Sequence, residues 1–89
     1  MTSILVVEDN QQNADMIIRI LETAGFRVLH ALKGLKGVQM AREEHPTLVL
    51  MDFELPDVSG LTATMLIRRQ LGKQAPPVIA CTAQANAQY

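Results

Sequence analysis

A chain of 89 residues, 48% hydrophobic and 19% charged, is one globular domain at most. Its formal net charge of −1 supplies no clustered basic surface for nucleic acid or an anionic membrane. No apolar run approaches the ~20 residues of a membrane span. One cysteine, Cys81, makes no internal disulfide, and Met1-Thr2-Ser3 leads into a strand without the basic start of a signal peptide, so the expected setting is the reducing cytoplasm.

Ile4 to Val7 is a continuous, β-branched run, as a strand buried on both faces should be. Glu8-Asp9-Asn10 ends it, and Asn10 is placed to cap a helix over about Gln11 to Ala24. Ala14, Ile17, Ile18 and Leu21 form the core stripe of that helix, with Gly25 just past its end. Met16 and Ile20 widen its apolar face. Phe26 to Ala31 reads as a second strand, an edge because it carries Arg27 and His30. Leu35 to Glu44 follows as a helix with Leu35, Val38, Met40 and Ala41 on its apolar side. Gly34 and Gly37 weaken its start, and His45-Pro46 ends it.

Thr47 to Met51 is the third strand, and it runs into Asp52. Phe53 to Gly60 is a loop marked by Pro56 and Gly60. Leu61 to Leu71 is a third helix, with Leu61, Met65 and Leu66 expected inward. Pro76-Pro77 leads into Val78 to Thr82, a fourth buried strand, and residues 83–89 are too few for a stable isolated helix. The order βαβαβαβ implies α/β architecture: a parallel sheet with helices on both faces, in one domain over residues 1–89.

Two of these strands end on acids: the first on Glu8-Asp9, the third on Asp52. Ligands of open α/β sheets bind at the carboxyl ends of the strands. Three carboxylates brought together there raise one another's pKa values or recruit a cation. Oxygen-only ligands near water suit Mg²⁺, and a carboxylate beside such a cation suits phosphoryl transfer, the carboxylate attacking and an acyl phosphate resulting. Thr82, at the end of the fourth strand, offers a hydroxyl, and the Ala83 backbone N–H a second donor.

Ile4-Leu5-Val6-Val7-Glu8-Asp9-Asn10, Leu48-Val49-Leu50-Met51-Asp52, Leu55-Pro56-Asp57-Val58-Ser59-Gly60 and Pro77-Val78-Ile79-Ala80-Cys81-Thr82-Ala83 together resemble, in residues and in spacing, the receiver domain of bacterial two-component response regulators. The resemblance covers essentially the whole chain. It implies a flavodoxin-like, doubly wound sheet of strand order 2-1-3-4, and Asp52 as acceptor of a phosphoryl group from a histidine kinase or phosphotransfer protein. It implies Mg²⁺ on Asp9 and Asp52, with Glu8 acting through water and the Glu54 backbone carbonyl as a further ligand. Thr82 would turn toward the phosphoryl group, with the Ala83 N–H beside it. The chain then reads as a phosphoacceptor rather than an enzyme, whose only catalysis would be of its own phosphorylation and dephosphorylation.

Complete receivers run to about 120 residues, an ordinary domain size, so the expectation is a truncated, stand-alone receiver in a phosphorelay. It would lack the fifth strand, the fifth helix and the family's active-site lysine, and would be phosphorylated inefficiently. A hydrogen bond to a charged group is worth about 1.5–3 kcal/mol. An apolar fourth-strand edge and a sheet face covered by one helix point to a homodimer, through the strand-four edge, the C-terminal tail or helix one. The alternative is a degenerate receiver acting as a dimerising or adaptor module independent of phosphate. A haloacid-dehalogenase-like phosphatase also uses an aspartate and Mg²⁺, but Asp52-Phe53-Glu54 falls short of its Asp-x-Asp. His30, His45 and Cys81 carry no metal-site spacing.

Overall fold

The structure, a computed structural model, describes residues 2–81. Four strands, β1 (Ser3–Val7), β2 (Arg27–Ala31), β3 (Leu48–Asp52) and β4 (Val78–Cys81), form one parallel sheet of order β2-β1-β3-β4. Helices α1 (Gln11–Thr23), α2 (Gly34–Glu44) and α3 (Gly60–Leu71) connect them, with a 3-10 turn at Gly72–Gln74. The expected flavodoxin-like fold is the one observed. The first connection moves to one side of β1, and the next two move the other way. Right-handed crossovers therefore put α1 on one face and α2 with α3 on the other.

The central strands are apolar from Ile4 to Val7 and from Leu48 to Met51, as suits the middle of a parallel sheet, and β1 is buried along its whole length. Leu5, Val7, Val49 and Met51 point toward α2 and α3, where they pack with Val38, Ala41, Ala63 and Ile67. Ile4 and Val6 point to the α1 side and are also buried. β2 is an edge, as its Arg27 and His30 predicted.

Local chemistry sets the helix limits. The Asn10 side chain accepts from the Asn13 N–H at 2.9 Å, capping α1. The other end closes as a Schellman motif: Phe26 N–H donates to Leu21 O, Gly25 N–H donates to Glu22 O, and Gly25 takes φ 96°. His45 adopts the left-handed conformation at φ 49°, and Pro46 then prevents continuation of α2.

Three expectations need correction. In α3 the inward residues are Gly60, Ala63 and Ile67, while Leu61 and Met65 are exposed and Leu66 is half-buried. The helix starts one residue earlier than the apolar pattern suggested, and small residues are what let it lie close to the sheet. In α2, Val38 and Ala41 are buried but Leu35 is exposed, and Gly34 and Gly37 are buried contact points rather than weak ones. The fourth strand is not buried: Ile79 and Ala80 are exposed, and among the described residues it is the second edge of the sheet, the apolar edge that was expected.

Candidate functional site

The rung Val7–Met51 is the last that pairs β1 with β3. The next residue along each strand is an acid, Glu8 and Asp52, so parallel register alone sets them side by side. Asp52 also pairs with Cys81 of β4. Glu8, Asp9 and Asp52 each offer a carboxylate oxygen, and these atoms all lie within 4.8 Å of one another. Glu8 and Asp52 are buried, whereas Asp9 is exposed at the rim.

Glu8 is held on three sides. Its N–H donates to Ala31 O at 3.0 Å, its carbonyl lies 2.9 Å from His30 Nε2, and its carboxylate accepts from the Asn10 N–H at 3.1 Å. A carbonyl only accepts, so the His30 ring carries its proton on Nε2 in this contact. The end of β2 therefore positions the acid loop. The sequence reading gave His30 no part, and nothing in its local sequence marks one: the contact arises because the fold places β2 beside β1.

Burial pushes the Glu8 carboxyl up to about 7, opposed by the Asn10 N–H and reinforced by the neighbouring charge of Asp52. A buried acid beside two others is an electrostatic cost that a divalent cation would remove. The donor set is hard oxygen, open to water at Asp9, and it fits Mg²⁺, which keeps several waters and takes few carboxylates. Burial, with the charges of Glu8 and Asp52, raises the Cys81 pKa and keeps that side chain a neutral thiol.

Gly60 closes the loop that leaves Asp52. Its N–H donates to Phe53 O at 2.8 Å, and a Cβ at this position would collide with the Asp52 carbonyl oxygen. Ser59 caps α3 through the Thr62 N–H. Further along the loop, Asp57 turns away from the acids and accepts from two backbone N–H groups of α2. Glu54 is exposed in this loop. Thr82 and Ala83, expected to complete the site, lie outside the described residues.

Residues 4–89 match the response regulator receiver domain family. The chain is 40% identical over 83 residues to the polar-differentiation response regulator DivK of Brucella ovis, a match covering 93% of this chain and 68% of that protein. It is 37% identical, with a TM-score of 0.87, to the crystal structure of the receiver domain of sensor histidine kinase PA1611 from Pseudomonas aeruginosa, a structure described with a magnesium ion coordinated in its active-site cleft; 98% of this chain and 71% of that one are covered. The signal receiver domain of a LuxO repressor protein from Vibrio parahaemolyticus shares the fold at a TM-score of 0.84 and 24% identity, covering 97% of this chain and 65% of that one. The chain thus spans about two thirds of the length of these relatives. Order of strands, clustered acids at two adjoining strand ends and the match over residues 4–89 agree, and the chain belongs to the response regulator receiver domain family.

Proposed function

We propose that this receiver accepts a phosphoryl group on Asp52, from a phosphohistidine of a histidine kinase or phosphotransfer protein, at a site that also binds Mg²⁺. The observation that carries this reading is the set of three carboxylates within 4.8 Å at the ends of β1 and β3. An Asp52 carboxylate oxygen forms the bond to phosphorus, and the phosphorus–nitrogen bond of the donor breaks. The departing imidazole keeps the electron pair and takes up a proton. When bound, the cation supplies charge neutralisation at the phosphoryl oxygens. Asp9 and Asp52 would ligate it directly, Glu8 through water, and the Glu54 backbone carbonyl would add a fourth protein contact. The Thr82 hydroxyl and the Ala83 N–H are the proposed donors to the phosphoryl group. The product is an acyl phosphate whose added charge is read by a partner protein.

The test is incubation with a small phosphodonor and Mg²⁺, followed by intact mass. A gain of about 80 Da, one phosphoryl group, absent in Asp52→Asn and without Mg²⁺, is the expected result. A chain that remains unlabelled with both donor and cation supports the alternative of a phosphate-independent adaptor. The exposed Ile79 of β4 and Met16 and Ile20 of α1 favour a second proposal, that two copies associate through one of these surfaces. Sedimentation showing only monomer at micromolar concentration would reject it. Among the described residues no helix is long and apolar enough to cross a membrane.

A further inference from the structure

The first N–H groups of a helix have no partner within it. In α1 and α3 the side chain of the N-cap residue provides one, but α2 begins after Lys33, whose side chain makes no such bond. Asp57 takes its place. Its Oδ1 accepts from the Gly34 N–H at 2.8 Å and its Oδ2 from the Leu35 N–H at 2.9 Å. Asp57 is 23 residues past Gly34, in the loop between β3 and α3. A cap from α2's own flank would serve the helix alone, whereas this one also restrains the loop it comes from.

That loop lies directly on the start of α2. A Cβ on Gly34 would come 2.6 Å from Val58 Cγ2 and 3.3 Å from both Asp57 Oδ1 and Leu55 Cδ1. A second tie of the loop is the bond from Gly60 N–H to Phe53 O. Phe53 and Glu54, the residues that leave Asp52, are thus confined between two fixed points. The Leu35 N–H is the largest influence holding the Asp57 carboxyl below its ordinary value, so the side chain stays ionised and the clamp charge-assisted.

We propose that Asp57 is a positioning residue for the site at Asp52: by fastening the β3–α3 loop to the N-terminus of α2, it holds the backbone after Asp52 in the form that binds the cation. This rests on the reading of Glu8, Asp9 and Asp52 as a cation site. Outer partners of metal ligands typically cost 10- to 100-fold in affinity when removed, and a residue acting through the loop belongs at the low end, about tenfold.

The experiment compares the full chain with Asp57→Ala and with Asp57→Ala/Lys33→Ser. The second change gives α2 a cap from its own N-cap position. One negative and one positive charge are then lost, so the double variant has the net charge of the native chain. Thermal stability, Mg²⁺ affinity from amide shifts of Glu8–Asn10 and Phe53–Glu54, and hydrogen exchange at the Gly60 amide are recorded on each. In Asp57→Ala all three should change: lower stability, about tenfold weaker Mg²⁺ binding and faster Gly60 exchange. In the double variant stability should recover while affinity and exchange do not. Native Mg²⁺ affinity in Asp57→Ala, or recovery of affinity together with stability, would overturn the proposal by making Asp57 a helix cap only. Should the native chain bind no Mg²⁺, the cation reading itself fails. Gly60 exchange in the double variant then decides the tether: native-like exchange overturns it, fast exchange upholds it.

Discussion

The two faces of the sheet are closed to very different degrees. On the α2–α3 side, Leu5, Val49 and Ile67 are fully buried, and the core continues outward to a half-buried Val78. On the α1 side the rung Val6–Leu50–Ile79 starts 1% exposed at Val6, is half-buried at Leu50 and is 51% exposed at Ile79. Among the described residues two helices cover one face, whereas α1 packs mainly on the β1–β2 half of the other. An all-apolar parallel strand wants both faces shielded, so among the described residues the α1 face near β4 is the less shielded one, and the proposed association of two copies would draw on it. The acids stand at the end of the well-covered strands. The site thus stands at the ends of β1 and β3, and the exposed Ile79 of the α1 face lies on the neighbouring strand.

The sharpest way to break this contrast is to truncate one isoleucine on each side. Ile67→Ala should lower unfolding stability by about 4 kcal/mol, since it empties a closed core. Ile79→Ala should cost under about 1 kcal/mol in dilute solution. The check is denaturant unfolding at two protein concentrations. A cost at Ile79 that grows with concentration would show the open face covered by a second copy, whereas equal costs at any dilution would remove the contrast altogether.

Gly60→Ala probes where the closed face meets the site. The new methyl group has the Asp52 carbonyl oxygen in its place, so either α3 or the end of β3 must move. We expect a loss of about 3 kcal/mol and a shift of Asp52, the proposed phosphoacceptor, seen as reduced labelling of the folded protein. A folded Gly60→Ala protein labelled like the native one would mean that the approach of α3 to β3 does not set the site.

The acids give an effect that depends on pH. Glu8 titrates near 4.5 in the unfolded chain and near 7 when folded, so folding without a cation favours its protonated form. Stability from this group is complete below pH 4.5 and is lost as pH rises through 7. The loss should amount to about 1–2 kcal/mol, after allowance for water reaching the cluster. It should vanish in Glu8→Gln and shrink when Mg²⁺ is added, both measurable by thermal unfolding between pH 5 and pH 8, a range set about the folded value of 7. Asp57 acts in the opposite sense at more acid pH: its lowered pKa gives stability that is lost only as pH falls through the folded value. A slope of stability with pH that is the same with and without Glu8 would place the cost elsewhere.

What was legible in the sequence was whatever follows from period and punctuation. Val6-Val7 ahead of Glu8 and Leu50-Met51 ahead of Asp52 announced buried strands ending in acids, and parallel register did the rest. Asn10 and Gly25 marked both ends of α1 because capping chemistry is local. The inward side of α3 was misread because Leu61 and Met65 are more hydrophobic than Ala63, while close packing on the sheet favours the smaller residue. His30 and Asp57 were missed for a different reason. Their partners, the Glu8 carbonyl and the Gly34 and Leu35 amides, are backbone groups 22 or 23 residues away. A backbone group leaves no signature in the identity of the residue that owns it.

The smallest effect comes from the helix that guards the open face. Asn10 serves two structures at once: its side chain caps α1 through the Asn13 N–H, and its own N–H reaches the Glu8 carboxylate. Asn10→Ala removes only the first of these, because the second is a backbone group that alanine keeps. The expected loss is about 1 kcal/mol of stability, with the pH dependence due to Glu8 unchanged. Thermal unfolding of Asn10→Ala at pH 5 and pH 8, on either side of the folded Glu8 value of about 7, separates the two roles. Equal losses at both pH values mean that the cap of α1 and the acid loop are independent. A loss confined to pH 8 would mean that the Glu8 carboxylate depends on the capped conformation of Asn10, and that α1 is part of the site rather than a cover beside it.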